Sequence, residues 1–169
     1  MLDPDHYQKI VFLTGAGVSV ASGIPPFRGP GGLWNDREIE RGAAAEALAR
    51  DPELVWRAFA SLRESARKAR PNAAHQTMAE LESRHPEVHL LTQNVDGLHL
   101  AAGSRRVVEL HGNIHRTRCT RCDIPAFTDE SLDFRACSKC GAALRFDIVL
   151  FHEMLDPEVL KLTAQALRG

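Results

Sequence analysis

The chain has 169 residues, of which 44% are hydrophobic and 25% are charged, a composition that fits one packed domain with a small appendage. Its 21 lysines and arginines nearly balance 22 aspartates and glutamates, so no overall field draws it to nucleic acid or to an anionic membrane. No apolar run approaches the roughly 20 residues of a membrane span, and the first residues lack the features of a secretory signal. We expect a cytoplasmic protein with no membrane partner and no direct nucleic-acid partner.

Apolar runs alternate with helix patterns over most of the chain. The run KIVFLTG predicts a buried strand that ends at Gly15. A helix is expected after Asp51 as N-cap, with Pro52 at its first position, and a second helix from Asn72. The runs VHLLTQ and RVVEL predict two more strands, separated by the helix-length segment NVDGLHLAAG. Strands that alternate with helices indicate right-handed crossovers and a mostly parallel sheet.

Residues 115–145 interrupt this alternation with charges, prolines and all four cysteines. We expect the parallel sheet to resume with FDIVLF and a last helix to begin after Asp156 as N-cap. The predicted fold class is therefore α/β, with a Rossmann-like parallel sheet in residues 1–114 and 146–169 and a small inserted zinc-ribbon domain in residues 115–145. A helix after a parallel strand normally returns the chain to another strand, so we expect the sheet to be incomplete at the C-terminus.

A glycine turn follows the first predicted strand. In such turns a first glycine permits a tight bend and a second lets the backbone approach a pyrophosphate at a helix N-terminus, roles that suit Gly15 and Gly17. The GxGxxG pattern is incomplete, so an ordinary strand-to-helix connection stays an alternative. Two consecutive prolines stiffen the loop that carries Phe27 and Arg28 beside this turn. This combination favours a dinucleotide ligand.

Polar residues stand at the ends of the next two predicted strands. Gln93, Asn94 and Asp96 close the second strand, and His111 follows the third. Open α/β sheets bind ligands at the carboxyl ends of their strands, and an imidazole can transfer protons near neutral pH. A capping turn and a structural histidine are the alternatives. Three polar clusters at three successive strand ends predict a single cleft.

The four cysteines form two CxxC pairs. Cys119 pairs in sequence with Cys122, and Cys137 with Cys140, with 14 residues between the pairs. In a chain without a secretory signal this spacing indicates a metal site, with disulfides or inert thiols as the alternative. Four thiolates close a tetrahedral shell and leave no open position, so we predict one structural Zn²⁺.

Taken together, GAGVSVASGIPPFRG, TQNVDGLH, the HG pair at 111–112, the CxxC pairs and LRFDIVLFHEML resemble the sirtuins, the NAD-dependent protein-lysine deacylases. The resemblance implies a Rossmann-like large domain, a zinc-binding small domain, and an acyl-lysine peptide in the cleft between them. It also implies that the amide oxygen of acyl-lysine attacks the nicotinamide ribose as nicotinamide leaves, so that the acyl group is transferred to ADP-ribose.

The resemblance implies NAD contacts from the glycine turn, the proline-stiffened loop and the polar residues after the second strand. These contacts are Gly15, Ala16, Gly17, Ile24, Phe27, Arg28, Gln93, Asn94 and Asp96. Asp96 would line the nicotinamide pocket with Ile24, and Asn94 would contact the ribose with Gln93. His111 would be the general base that takes a proton from a ribose hydroxyl, which makes His111, Asn94 and Asp96 the implied catalytic residues.

The implied substrate contacts lie on two segments. Val149 and Phe151 would pair their backbone with the peptide. Sirtuins that favour acidic acyl groups carry a Tyr-x-x-Arg pair, and this chain has Ala60 in the tyrosine's place with Arg63 retained. Loss of the phenol leaves recognition of succinyl or malonyl open and leaves space for a longer acyl chain. His152 stands where the family often has glycine, so we expect a narrower groove.

Sirtuins continue with a strand that bears a Gly-Thr-Ser motif and with further strands that hold the adenosine half of NAD. This sequence stops one helix before them, so we expect a fragment that keeps the nicotinamide half of the site. Two other functions stay open, a catalytically inactive zinc-bearing interaction module and an NAD-dependent ADP-ribosyltransferase. The sequence does not indicate the acyl chain, the target proteins or the oligomeric state.

Overall fold

The computed structural model describes residues 3–35 and 37–168, so the outer ends of the predicted domain ranges, 1–2 and 169, lie outside it. A three-stranded sheet with both pairings parallel has the order β1-β2-β3. Its strands are β1 (Ile10–Thr14), β2 (Val88–Thr92) and β3 (Val107–Glu109). The prediction of a parallel sheet from three apolar runs is confirmed. Because the strands are parallel, the segments that follow them emerge at one edge.

Six α-helices fall within the described residues. They are α1 (Arg37–Gly42), α2 (Ala45–Arg50), α3 (Pro52–Lys68), α4 (Ala73–Arg84), α5 (Leu98–Ala101) and α6 (Pro157–Leu167). The side chains of Asp51, Asn72 and Asp156 accept backbone N–H bonds at the starts of α3, α4 and α6. The predicted N-caps Asp51 and Asp156 are confirmed, as is the predicted helix that follows Asn72. In this part of the chain, no helix has both the length and the apolar character that crossing a bilayer requires.

The turn after β1 differs from the predicted strand-to-helix turn. A 3₁₀ helix, Ala16–Ser22, takes the place of an α-helix and ends at Gly23, whose φ is +87°. Gly15 has a φ of −132°, an extended conformation that any residue adopts, so a tight bend does not explain this glycine. At Gly17 an added Cβ would have no atom within 4 Å, which leaves the backbone open to the space above the sheet.

A second sheet has the strand order β5-β4-β6 and is antiparallel. Its strands are β4 (Gly112–Cys119), β5 (Phe127–Thr128) and β6 (Leu144–Ile148). The prediction that FDIVLF resumes the parallel sheet is wrong, because β6 pairs with β4. An apolar run indicates a buried strand but does not name its partner. The domain ranges 1–114, 115–145 and 146–169 stay a prediction.

The core between α3 and the second sheet is built on aromatic rings. Trp56 stacks on Phe146 with 4.3 Å between ring centroids, and Phe59 meets Phe146 edge-on at 6.5 Å. The Arg63 guanidinium lies 4.2 Å from the Phe146 ring centroid, and the residue is 0% exposed. Aromatic and cation–π contacts therefore bind α3 firmly to β6.

Candidate active site

A cavity of about 800 Å³ opens at the carboxyl edge of the parallel sheet. It is bounded by the glycine turn, the proline-stiffened loop, the turn after β2 and the segment after β6. The cavity lining includes the following predicted site residues: Gly15, Ala16, Gly17, Ile24, Phe27, Arg28, Gln93, Asn94, Asp96, His111, Val149 and Phe151. Ala60 and Arg63 do not line it. The structure thus brings the predicted cofactor residues and His111 to one place.

A buried hydrogen-bond network orients the Asp96 carboxylate. Ser19 Oγ donates to Asp96 Oδ2 at 2.6 Å, and the backbone N–H of Leu98 donates to Asp96 Oδ1 at 2.9 Å. Asn94 Nδ2 in turn donates to Ser19 Oγ and to the carbonyl of Gly15, both at 3.1 Å. Sequence reasoning missed Ser19, because a serine in a run of small residues carries no distinguishing signal. Its position ties the glycine turn to Asp96 and holds the carboxylate in one orientation.

The imidazole of His111 is held by one of its two nitrogens. Nδ1 lies 3.0 Å from the Gln93 carbonyl oxygen. A carbonyl oxygen only accepts hydrogen bonds, so Nδ1 carries the proton. In the neutral ring Nε2 is then unprotonated and can accept a proton from a ligand. This arrangement is the one a general base requires.

The two loops that flank the cavity contact each other through aromatic rings. Phe27 of the proline-stiffened loop lies 5.9 Å from Phe151 of the segment after β6, measured between ring centroids. The backbone N–H of Leu33 donates to the carbonyl of Pro26 at 2.9 Å and closes the proline-stiffened loop on itself. This cover can exclude water from the groups below it.

The backbone of the segment after β6 is engaged within the chain. The N–H of Val149 donates to the His111 carbonyl at 2.9 Å. Phe151 donates to the carbonyl of Ala43 at 2.8 Å and accepts from the N–H of Ala45 at 3.0 Å. Both backbone groups of Phe151 therefore have partners, and its predicted pairing with a peptide has to compete with these bonds.

His152 adopts a backbone conformation that favours glycine. Its φ is +69°, in the left-handed region. The ring Nδ1 lies 3.0 Å and 3.1 Å from the two carboxylate oxygens of Glu46. Hydrogen bonding to the backbone and then to His152 lowers the pKa of the exposed Glu46 carboxyl. The ring is thus held toward α2, and the residue lines the cavity. The narrower groove stays a prediction.

Arg63 lies in the core and not at a substrate. It has no exposed surface, and its guanidinium donates to backbone carbonyls and to a threonine hydroxyl. The structure therefore contradicts the predicted substrate contact of Ala60 and Arg63. The residues of α3 that line the cavity are Phe59 and Leu62, one position earlier in each case. One residue turns a helix by about 100°, which is enough to exchange a cavity position for a core position.

The carboxylate that balances Arg63 belongs to Asp129. Arg63 Nη1 lies 3.3 Å from Asp129 Oδ2, and both side chains are buried. Burial alone would raise the pKa of Asp129. Hydrogen bonds from the Ser131 N–H, the Thr117 hydroxyl and Arg135 outweigh burial and lower the pKa to about 2. Removing one partner of a buried, fully hydrogen-bonded ion pair strongly destabilises a fold, because the other charge stays buried.

The four cysteine sulfurs gather as the CxxC spacing predicts. The Sγ atoms of Cys119, Cys122, Cys137 and Cys140 all lie within 4.8 Å of one another. The Cys119 to Cys140 distance is 3.5 Å and the Cys122 to Cys137 distance is 3.7 Å. Tetrahedral Zn–S bonds of about 2.3 Å place sulfurs about 3.8 Å apart. These residues fit one structural Zn²⁺.

The model of the Sir2 family matches residues 15–168 of the chain. The chain belongs to the Sir2 family. NAD-dependent protein deacylase 2 of Pyrobaculum aerophilum is 49% identical over 150 residues, which cover 88% of this chain and 60% of that protein. NAD-dependent protein deacylase 1 of Archaeoglobus fulgidus is 50% identical over 155 residues, covering 89% of this chain and 63% of that protein.

Solved Sir2 structures share the fold. A Sir2 homologue in complex with NAD matches with a TM-score of 0.83 and 47% identity, over 93% of this chain and 62% of that one. A Sir2 variant with a deacetylated peptide and 3′-O-acetyl ADP-ribose matches with a TM-score of 0.83 and 34% identity, over 94% of this chain and 66% of that one. The sequence-based assignment to the sirtuins is confirmed. The chain spans 60–63% of the length of these two archaeal deacylases.

Proposed function

We propose that this chain carries the nicotinamide half of a sirtuin-type deacylase site, which transfers the acyl group of acyl-lysine to ADP-ribose and releases nicotinamide. One observation carries the proposal: an oriented, buried Asp96 carboxylate and the singly held imidazole of His111 line the same cavity. The relatives named as NAD-dependent deacylases and the Sir2 complex with NAD support it. NAD is the proposed cosubstrate, and an acyl-lysine peptide or protein the proposed partner.

The proposed roles follow from the bonding of each group. Asp96 is 5% exposed and keeps acceptor capacity beyond its two hydrogen bonds, so it can accept from the amide of nicotinamide. His111 Nε2 takes the proton of a ribose hydroxyl, because Nδ1 is already bonded to the Gln93 carbonyl. Phe27 covers the site from the proline-stiffened loop. The amide oxygen of the acyl-lysine attacks the ribose carbon as nicotinamide departs. The hydroxyl that His111 deprotonates then attacks the acyl carbon, and water completes the release of the free lysine amine and of acyl-ADP-ribose.

We also propose that the acyl group is uncharged. Two buried apolar side chains, Phe59 and Leu62, are the contribution of α3 to the cavity lining. Arg63 uses its donors in the core, and the guanidinium that lines the cavity, Arg28, belongs to the proline-stiffened loop and is a proposed NAD contact. A succinyl or malonyl carboxylate at the α3 wall would lose its hydration without a cation from that helix. Acetyl and longer aliphatic acyl groups avoid this cost.

Product analysis tests both proposals. The chain is incubated with NAD and peptides that carry acetyl-, butyryl- or succinyl-lysine, and the products are identified by mass spectrometry. We expect free lysine peptide and acyl-ADP-ribose from the acetyl and butyryl substrates. Transfer of ADP-ribose to protein or peptide would support the transferase alternative, and preferential cleavage of succinyl-lysine would contradict the uncharged acyl group. The cytoplasmic location and the absence of a nucleic-acid partner stay predictions.

A further inference from the structure

The strand β4 contains an irregularity directly behind the cavity. Asn113 of β4 pairs with Asp147 of β6, and the next pair joins Thr117 to Phe146. Three residues of β4 therefore lie between two adjacent residues of β6. We call the intervening residues Ile114, His115 and Arg116 the β4 bulge. Bulges bend a strand and redirect side chains, and they are common beside functional sites.

The β4 bulge contacts the turn that carries Asp96. The N–H of Ile114 donates to the Val95 carbonyl at 2.8 Å, and His115 Nε2 lies 3.0 Å from the Asp96 carbonyl oxygen. Gly97, the next residue of this turn, has a φ of +73°, and a Cβ there would lie 3.3 Å from His115 Cδ2. The turn therefore packs against the imidazole as well as bonding to it.

The proton on His115 follows from its partner. A carbonyl oxygen only accepts, so Nε2 must carry a hydrogen, and the neutral ring is the Nε2–H tautomer. The backbone of the residue is fixed on both sides. Its N–H donates to Asn113 Oδ1 at 2.8 Å, and its carbonyl accepts from the N–H of Asp129 at 2.9 Å. These two backbone hydrogen bonds hold His115 in place, so its imidazole keeps a fixed position next to Asp96.

Arg63 supports the β4 bulge from the core side. Its Nε donates to the Ile114 carbonyl at 2.7 Å, and Nη2 donates to the Arg116 carbonyl at 3.0 Å. These are the carbonyls on either side of His115. The guanidinium thus satisfies backbone acceptors that the bulge removes from the sheet ladder. Arg63 is therefore connected to the Asp96 turn of the cavity through the backbone of the β4 bulge.

We propose that His115 is a positioning residue for Asp96, and that Arg63 supports it through the β4 bulge. The bond from His115 to the Asp96 carbonyl fixes the peptide from which the carboxylate projects, so that Ser19 and the Leu98 N–H meet its two oxygens. His115 itself does not line the cavity. The inference rests on the proposed function only in that nicotinamide is taken as the ligand of Asp96.

Nicotinamide binding by three variants tests the proposal. His115→Phe keeps a ring but removes the donor, and we expect a roughly threefold to tenfold loss of nicotinamide affinity, the usual effect of one hydrogen bond. His115→Gln retains an N–H donor at similar reach, and we expect its nicotinamide affinity to lie within about twofold of that of the parent chain. His6→Phe, at an exposed position remote from the cavity, is the matched control and should bind as the parent chain does. Acetyl-lysine peptide binding, measured in parallel, should change in none of them.

A measurement on the parent chain covers the case in which His115→Phe fails to fold. Nitrogen-15 NMR of labelled histidine distinguishes the two tautomers, and we expect the Nε2–H form for His115. An Nδ1–H tautomer would overturn the proposal whether or not nicotinamide binds. Unchanged nicotinamide affinity in His115→Phe, or an equal loss in His115→Gln, would overturn it as well. A parent chain that binds no nicotinamide but shows the Nε2–H form would contradict the proposed function and keep the positioning role.

Discussion

Two buried histidines beneath the site make the stability of this protein sensitive to acid. His75 is 0% exposed and His99 is 2% exposed, with 4.7 Å between the ring centroids. Burial, and then the neighbouring His75, lower the pKa of His99 to about 4, against a weaker opposing effect of Asp96. Burial also lowers the pKa of His75. Folding therefore selects the neutral form of both rings.

The sign and size of the effect follow from proton binding. An unfolded histidine has a pKa of about 6.5, so between about pH 6.5 and pH 4 the unfolded chain binds a proton that folded His99 does not. The free energy of unfolding consequently falls as the pH falls through this window. Each pH unit within this window lowers the free energy of unfolding by about 1.4 kcal/mol. Lowering the pH from about 7.5 to about 5.0 therefore lowers the free energy of unfolding by about 2 kcal/mol through His99 alone.

A variant isolates this contribution from other acid effects, such as protonation of the cysteine cluster. His99→Gln does not titrate and can keep a hydrogen bond to Thr14 Oγ1, which lies 2.9 Å from His99 Nε2. Urea denaturation of both proteins at the two pH values gives four free energies of unfolding. We expect the parent chain to lose about 2 kcal/mol more than His99→Gln. Equal losses in the two proteins would refute this reasoning.

Two further predictions concern the zinc cluster and the core ion pair. Chelation of zinc, or Cys119→Ser, should lower the melting temperature, since the small sheet depends on the metal; a melting curve unchanged by metal removal would contradict a structural site. Arg63→Met should destabilise the fold by about 3–5 kcal/mol, because Asp129 keeps only one of its two arginine partners and three backbone carbonyls lose their donor. Arg57→Met, at a half-exposed ion pair on the same helix, is the control and should cost less than about 1 kcal/mol in urea denaturation. A loss below about 1 kcal/mol in Arg63→Met would count against the buried pair.

The local signals in the sequence predicted the parallel sheet and the helix starts correctly. Apolar runs marked β1 to β3, Asp51 and Asp156 marked two N-caps, and a helix was expected to follow Asn72. These features depend on neighbours in the chain. The CxxC pairs predicted the cysteine cluster for a related reason. One metal ion needs its ligands close to one another whatever fold surrounds them.

Features that depend on distant partners escaped sequence reasoning. The apolar run of β6 indicates a buried strand, but its pairing with β4 depends on which strand edge is nearby. Along α3, Leu62 lines the cavity, whereas Arg63, one position later, packs its guanidinium on the Phe146 ring and does not line it. Ser19 gained its role from a contact with Asp96, 77 positions along the chain.

Nicotinamide release is the most direct test of the proposed site. The folded, zinc-loaded chain is mixed with NAD and acetyl-lysine peptide, beside a His111→Ala variant whose nicotinamide binding is measured separately. We expect peptide-dependent release from the parent chain and its loss in His111→Ala, with nicotinamide binding retained, because the variant removes the base and leaves Asp96 in place. Release that is equal in the two proteins, or absent from the parent chain, would contradict the assignment.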